Sequence, residues 1–302
     1  MDFATSLGRA IVKRVQKRQR CPAMRYQQPF LVLSCFAVSG LACGGGETDV
    51  SVSSTQTTVV NLLTVPQVDD GVAPGFDLDQ IESDQSDGRS CYQRDLVDPT
   101  GLRGIDNQLA TLAPLLNLEG EGALEGLIQQ AINDGRLLIL FQLEKKTDGT
   151  YRLMMRRGED QPLLGTNGTI LSDQTLALEE SEPMAIADNL VIDSRQVEVG
   201  PVDLNIPVVV FDGIYTMHLP QGRIRFNLDE QGRLIKGMMG GGVTSASLNA
   251  MMDQAAVRLP EFVVLLRSGV EQAKDLAVMP SGECEQLSMA VTFEAIPAFT
   301  YE

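Results

Sequence analysis

Asp148-Gly149 lies between two apolar runs, Arg136–Glu144 and Tyr151–Arg156, and this arrangement constrains the fold more than any other feature of the chain. Asp-Gly suits a tight turn whose backbone twist matches that of two paired strands, so the runs are expected to form a hairpin. A meander is expected over residues 206–239, with turns at Pro220-Gln221-Gly222 and at Asp229–Gly232. Arg223-Ile-Arg-Phe-Asn-Leu228 alternates polar and apolar residues, the mark of a strand with one wet face. Shorter strands are expected at 169–171, 184–186 and 190–192, and the chain ends on an extended run from Leu287.

Helical spacing occupies two separate stretches. Ile105, Leu109 and Leu112 predict a first helix, with Asp106 as its cap and Pro114 as its limit. Leu124, Leu127, Ile128 and Ala131 predict a second over Ala123–Asn133, stopped by Gly135. The later pair follows Gly240-Gly241-Gly242, which is expected to end the sheet. One helix starts near Thr244 or Ser245 and carries Leu248, Met251, Met252, Ala255 and Leu259; the other runs from Phe262 to Leu276. Helices grouped together and strands joined by hairpins predict an α+β fold, a mainly antiparallel sheet with two helical pairs packed on it.

The N-terminal part carries a different signal. Phe30–Ala42 is an apolar run of 13 residues, too short to span a bilayer, and seven Lys and Arg precede it. A positive segment, an apolar segment and small residues before a cleavage point make an export signal, expected over residues 1–42, with Met24 the neater initiator. Leu41-Ala42-Cys43, followed by Gly44-Gly45-Gly46, resembles the bacterial lipobox, although Gly40 stands where an aliphatic residue is usual. The resemblance implies a diacylated Cys43 and an outer-membrane destination. The alternative is cleavage near Ala42 and secretion without lipid.

Beyond the signal, residues 43–88 read as a flexible acidic tether and residues 89–302 as the α+β globular domain. Of the 24 Lys and Arg and the 40 Asp and Glu, seven and one lie in residues 1–42, so the remaining chain has a net charge of −22. Such a chain lacks the basic surface that nucleic acid requires. Cys21 and Cys35 leave with the signal and Cys43 is used for lipid, which leaves Cys91 and Cys284. An even pair in an oxidising compartment predicts a Cys91–Cys284 disulfide; two unpaired buried thiols are the alternative.

Candidate sites are few. His218 is the sole histidine, which excludes most zinc sites and leaves a catalytic triad without support. Asp203, Asp212 and Asp229 sit near strands, but nothing in their spacing pairs any two of them. Asp77-Leu78-Asp79, with Asp84 and Asp87, offers hard oxygen ligands suited to Ca²⁺. Asp95, Asp98 and Asp106 join them only if the fold brings them near. No cofactor is expected, with calcium at these carboxylates as the alternative to a solvated acidic linker. Leu153-Met154-Met155, Met238-Met239 and Met251-Met252 could line an apolar ligand cavity, or be ordinary core.

A further run, Gly75-Phe-Asp-Leu-Asp79, Cys91, Asp95, Asp98-Pro-Thr-Gly101 and Gly104-Ile-Asp-Asn-Gln-Leu-Ala110, resembles uncharacterised envelope lipoproteins of myxobacterial-type Gram-negative bacteria. That resemblance implies location and no activity. The expected function is a lipid-anchored cell-envelope protein with a non-enzymatic binding role toward a hydrophobic ligand, an envelope protein or a cation. The alternatives are an envelope hydrolase using paired carboxylates and a structural or assembly lipoprotein. No catalytic residue is assigned.

Overall fold

The computed structural model describes residues 55–117, 122–210 and 213–301. The export signal and Cys43 lie outside them. Ten strands are described: β1 (Thr55–Thr64), β2 (Leu138–Lys145), β3 (Tyr151–Gly158), β4 (Gln174–Ala177), β5 (Ala185–Leu190), β6 (Gln196–Val210), β7 (Gly213–Leu228), β8 (Leu234–Thr244), β9 (Leu276–Val278) and β10 (Cys284–Tyr301). Four helices accompany them: α1 (Gln108–Leu116), α2 (Ala123–Asn133), α3 (Ser245–Ala256) and α4 (Pro260–Ala273). The sheet runs β5-β3-β2-β1-β10-β8-β7-β6, with β4 and β9 also paired to β10. Among the described strands, β4–β10 is the one parallel pair. Its two ends approach each other, since the Asn205 amide on β6 donates to the Met184 carbonyl beside β5 at 2.8 Å. The fold is therefore α+β, a nearly closed antiparallel barrel with helices.

The β2–β3 hairpin forms as expected. Lys145 pairs with Tyr151, Gly149 takes φ +86°, and the Asp148 carboxylate accepts from the Thr150 amide and hydroxyl. Leu138, Ile139, Leu140 and Phe141 are all buried in β2. Phe141 stacks on Phe293 of β10, centroids 4.9 Å apart. Gly237 of β8 makes room for that ring, because a Cβ there would sit 2.9 Å from it.

Three expectations are corrected. The stretch taken as a tether contains β1, which lies between β2 and β10 with Val59 and Val60 almost fully buried. Thr and Val give it the look of a linker, yet their β-branched side chains fit a pleated, buried surface. The Gly240–Gly242 run does not end the sheet: β8 continues to Thr244, because β10 approaches so closely that a Cβ at Gly240 would overlap the Met289 carbonyl. Likewise β7 runs through Pro220-Gln221-Gly222, and register shifts in β6 absorb the irregularity there. Thr244 does cap α3, its hydroxyl accepting from the Ser247 amide.

The helices share one apolar core with the sheet through Ala113, Ala131, Ile132, Leu248, Met252, Val263 and Val270. α3 packs on α4, while α1 takes α4 and β10 as neighbours and α2 lies against β1. At Gly269 of α4 a Cβ would already touch Leu112 and Leu115, so glycine permits the close approach of α1.

Residues 69–107, of which 69–88 were expected to be tether, form a lobe of short bridges: Asp69 to Val72, Val72 to Val97, Phe76 to Asp106 and Leu96 to Ile105. Ala73, Leu96, Ile105 and Ala110 give the lobe its own small core. On β10, Leu287, Met289, Val291 and Phe293 face the main core, which turns Ser288 and Ala290 to the opposite side. There Phe76 packs against Met238 and Ala290, with the Arg225 guanidinium 5.1 Å above its ring. A Cys91–Cys284 disulfide joins the lobe to the start of β10 across 193 residues of sequence. Such a bond is the chemistry of an oxidising, exported compartment. No described helix is long and apolar enough to cross a membrane.

Candidate metal centre

The lobe brings three carboxylates together. Asp77, Asp79 and Asp106 each offer an oxygen, and these oxygens all lie within 4.8 Å of one another. Local turns set the first two. Asp77 Oδ1 accepts from the Gln80 amide at 2.6 Å and Asp79 Oδ1 from the Ile81 amide at 2.9 Å, which folds the D-x-D segment back on itself. Gly104, at φ +72°, passes so near that a Cβ would stand 3.7 Å from the Asp77 carboxyl carbon. The third carboxylate arrives through backbone pairing, the Asp106 amide donating to the Phe76 carbonyl at 2.8 Å. Asp106 Oδ2 then accepts from the Leu78 and Asp79 amides at 2.6 and 3.3 Å. Its Oδ1 is buried without a partner, although Asp106 is only 1% exposed.

More acidic groups stand behind this set. Asp275 is 1% exposed and accepts from the Ser288 amide at 2.8 Å and its hydroxyl at 2.5 Å. The same hydroxyl accepts from the Gln108 amide, and Asn107 bonds Pro74 and Ala290, so the end of the lobe is stitched to β10. Asp95 accepts from the Ser83 amide at 2.5 Å. The Ser83 and Ser90 hydroxyls bond each other at 2.6 Å, and Ser90 donates to Asp79 Oδ2 at 3.1 Å. Ser90 directly precedes the disulfide's Cys91, so the disulfide fixes a residue that orients Asp79.

The electrostatics follow from gathering carboxyls away from water. Burial pushes Asp106 up to about 9, with the Asp79 charge adding to it and the Leu78 amide opposing. Burial likewise pushes Asp275 up to about 7, against the two Ser288 hydrogen bonds. Asp95 rises to about 6, first through burial and then through Asp79, Asp77 and Glu82, with the Ser83 amide opposing. Asp77 is raised, again chiefly by burial, and Arg223 partly offsets the effect. Every one of these shifts disfavours a bare negative charge.

Of the four expected calcium ligands, the fold unites Asp77 and Asp79 and leaves out Asp84 and Asp87. Asp84 is exposed, and Ser86 occupies its Oδ1 through amide and hydroxyl. Asp87 caps the short turn Gly88–Ser90 and is held by the Arg89 side chain, which lowers it to about 2. Asp98 turns its carboxylate onto Thr100. Asp106 is not the helix cap: α1 begins at Gln108, and Asp106 is drawn away by the amides of residues 78 and 79. Nothing in the sequence marks Asp275 and Ser288, for they lie far along the chain from the acidic stretch and carry no local motif.

The other candidates scatter. His218 is exposed on β7 and bonds Asn205 at 3.1 Å. Asp203 is exposed, Asp229 pairs with Arg233 at 2.8 Å, and Asp212 lies outside the described residues. Met155, Met239 and Met252 fill the core, and Met238 packs under Phe76. An open groove beside the lobe is lined by Leu62, Pro74, Thr100, Arg225, Lys236 and Phe293, a mixed polar and apolar surface. No protein-family model, curated protein or solved structure matches the chain.

Proposed function

We propose that this chain is an exported protein, lipid-anchored at Cys43 on the cell envelope, with a non-enzymatic binding role. The observation that carries the reading is the Cys91–Cys284 disulfide, which ties an acidic lobe onto a barrel by a bond characteristic of oxidising compartments. The export signal over residues 1–42 supports the same compartment. Eleven residues separate Cys43 from Thr55, so the anchor would hold the start of the barrel within at most about 40 Å of the lipid surface. The outer membrane is the destination that Gly44 favours by resemblance.

Binding is preferred over catalysis for a physical reason. Acid–base work needs carboxyls with raised pKa that can reach a substrate. Here the two most strongly raised, Asp106 and Asp275, are each 1% exposed beneath the lobe. Asp77 and Asp95, also raised but only partly buried, are the carboxyls an envelope hydrolase would have to use. A hydrophobic ligand, the other expectation, would have to use the open groove, since most of the clustered methionines are core.

Metabolic labelling with palmitate tests the anchor. The wild-type chain is expected to incorporate label and fractionate with membranes, and Cys43→Ala to do neither. Unlabelled wild-type protein, or label that survives Cys43→Ala, contradicts the anchored form and leaves a secreted protein.

A further inference from the structure

We infer that Asp77, Asp79 and Asp106 form a calcium site that locks the lobe in place, and so name a ligand for the binding role proposed above. The inference rests on that role but not on the lipid anchor.

Two independent observations converge on it. The first is geometric. Oxygens bound to one Ca²⁺ at about 2.3–2.6 Å are at most about 5 Å apart, and the three carboxylate oxygens fall within 4.8 Å. The second is the unsatisfied acceptor. Asp106 Oδ2 has two amide donors, whereas Oδ1 is buried without any. A buried acceptor without a partner costs free energy that a cation would recover. The neighbours are also of the right sign. Asp95 and Asp275 lie close enough to act on Asp106, and Arg223 is the cation acting on Asp77.

The three ligands come from two segments of the lobe, joined by the Phe76–Asp106 bridge and by hydrogen bonds of the Asp106 and Asn107 side chains. Asp77 and Asp79 lie in the segment after Phe76, and Asp106 lies opposite, directly before Asn107 and Gln108, which bind β10. A cation between them would clamp the acidic segment to the part of the lobe that is fixed to the barrel. The lobe would thus have two fasteners, the disulfide at Cys91 and the ion at Asp77–Asp79–Asp106. Ser90, bonded to Asp79 and adjacent to Cys91, connects them.

Thermal melting of the full chain, stripped with chelator and titrated with CaCl₂ or MgCl₂, tests the inference. For a Kd near 0.1 mM, 10 mM Ca²⁺ is expected to raise Tm by about 5–10 °C. Asp106→Asn and Asp77→Asn are each expected to abolish the rise. Both should fold without metal, because asparagine keeps the side chain's shape and an oxygen to accept the lobe's amide hydrogens, and circular dichroism checks that. The pair Asp84→Asn and Asp87→Asn, whose carboxylates are held elsewhere, is expected to keep it. No rise in wild type up to 10 mM overturns the site. So does a rise that survives Asp106→Asn or is lost with Asp84 and Asp87. An equal response to Mg²⁺ overturns the assignment to calcium.

Discussion

Asp275 shows how one side chain can invert the usual pH response of a protein. It is buried against β10, and its carboxyl holds a proton up to about 7 in the folded chain. Unfolded, it would lose that proton near 3.8, the ordinary value. Between these two values the folded state binds more protons, so stability falls as pH rises. The contribution is fully present below the unfolded value and is lost as pH climbs through about 7. In chelator, the urea midpoint is therefore expected to be higher at pH 5 than at pH 8, with Asp275→Asn reducing the difference. A midpoint that instead rises from pH 5 to pH 8 in wild type would contradict the burial argument. Among single residues, Asp77 and Asp79 were legible as a pair because two residues of spacing is a local pattern. Asp106 was legible only as a conditional member, dependent on the fold, because an acid just before an apolar run looks like a helix cap. Its real partners, the amides of Leu78 and Asp79, are nearly thirty positions away.

Elements were legible where local chemistry decides them. The Asp148-Gly149 hairpin, the Ala123–Asn133 helix and the Thr244 cap all follow from turn preference, spacing and capping. They were illegible where the neighbour across the sheet decides. Glycine run together suggests a break, yet Gly240 lies inside β8 because β10 leaves no space for a Cβ. Gly126 provides the contrast, in α2 with nothing near it. Gly240→Val is expected to destabilise by about 3 kcal/mol or more through clash with the Met289 carbonyl. Gly126→Ala should stabilise by about 0.5–1 kcal/mol through helix propensity alone. Chemical denaturation of both variants checks the pair; equal effects of the same sign would mean that neither environment is as described.

At the scale of the whole molecule, the α+β class and the antiparallel sheet were readable from the grouping of helices and strands. The near closure of the barrel was not, since it depends on β5 and β6 meeting through long-range pairing. Nor was β1 at Thr55–Thr64, because its burial is conferred by β2 and β10 on either side. The acidic lobe is the feature that links these scales. With only a small core of its own, it is held by Phe76, by Asn107 and Gln108, and by the disulfide. Closing so long a loop is worth up to about 5 kcal/mol in the chain-entropy picture. The ion is the fastener still to be demonstrated, and its effect should be local. Hydrogen–deuterium exchange of the oxidised full chain, with Ca²⁺ and with chelator, reads it amide by amide. Calcium is predicted to slow exchange about tenfold or more at residues 76–81 and 104–108, and to leave Asp84–Arg89 unchanged. Unaltered exchange at the Leu78, Asp79 and Asp106 amides under saturating calcium would contradict the account.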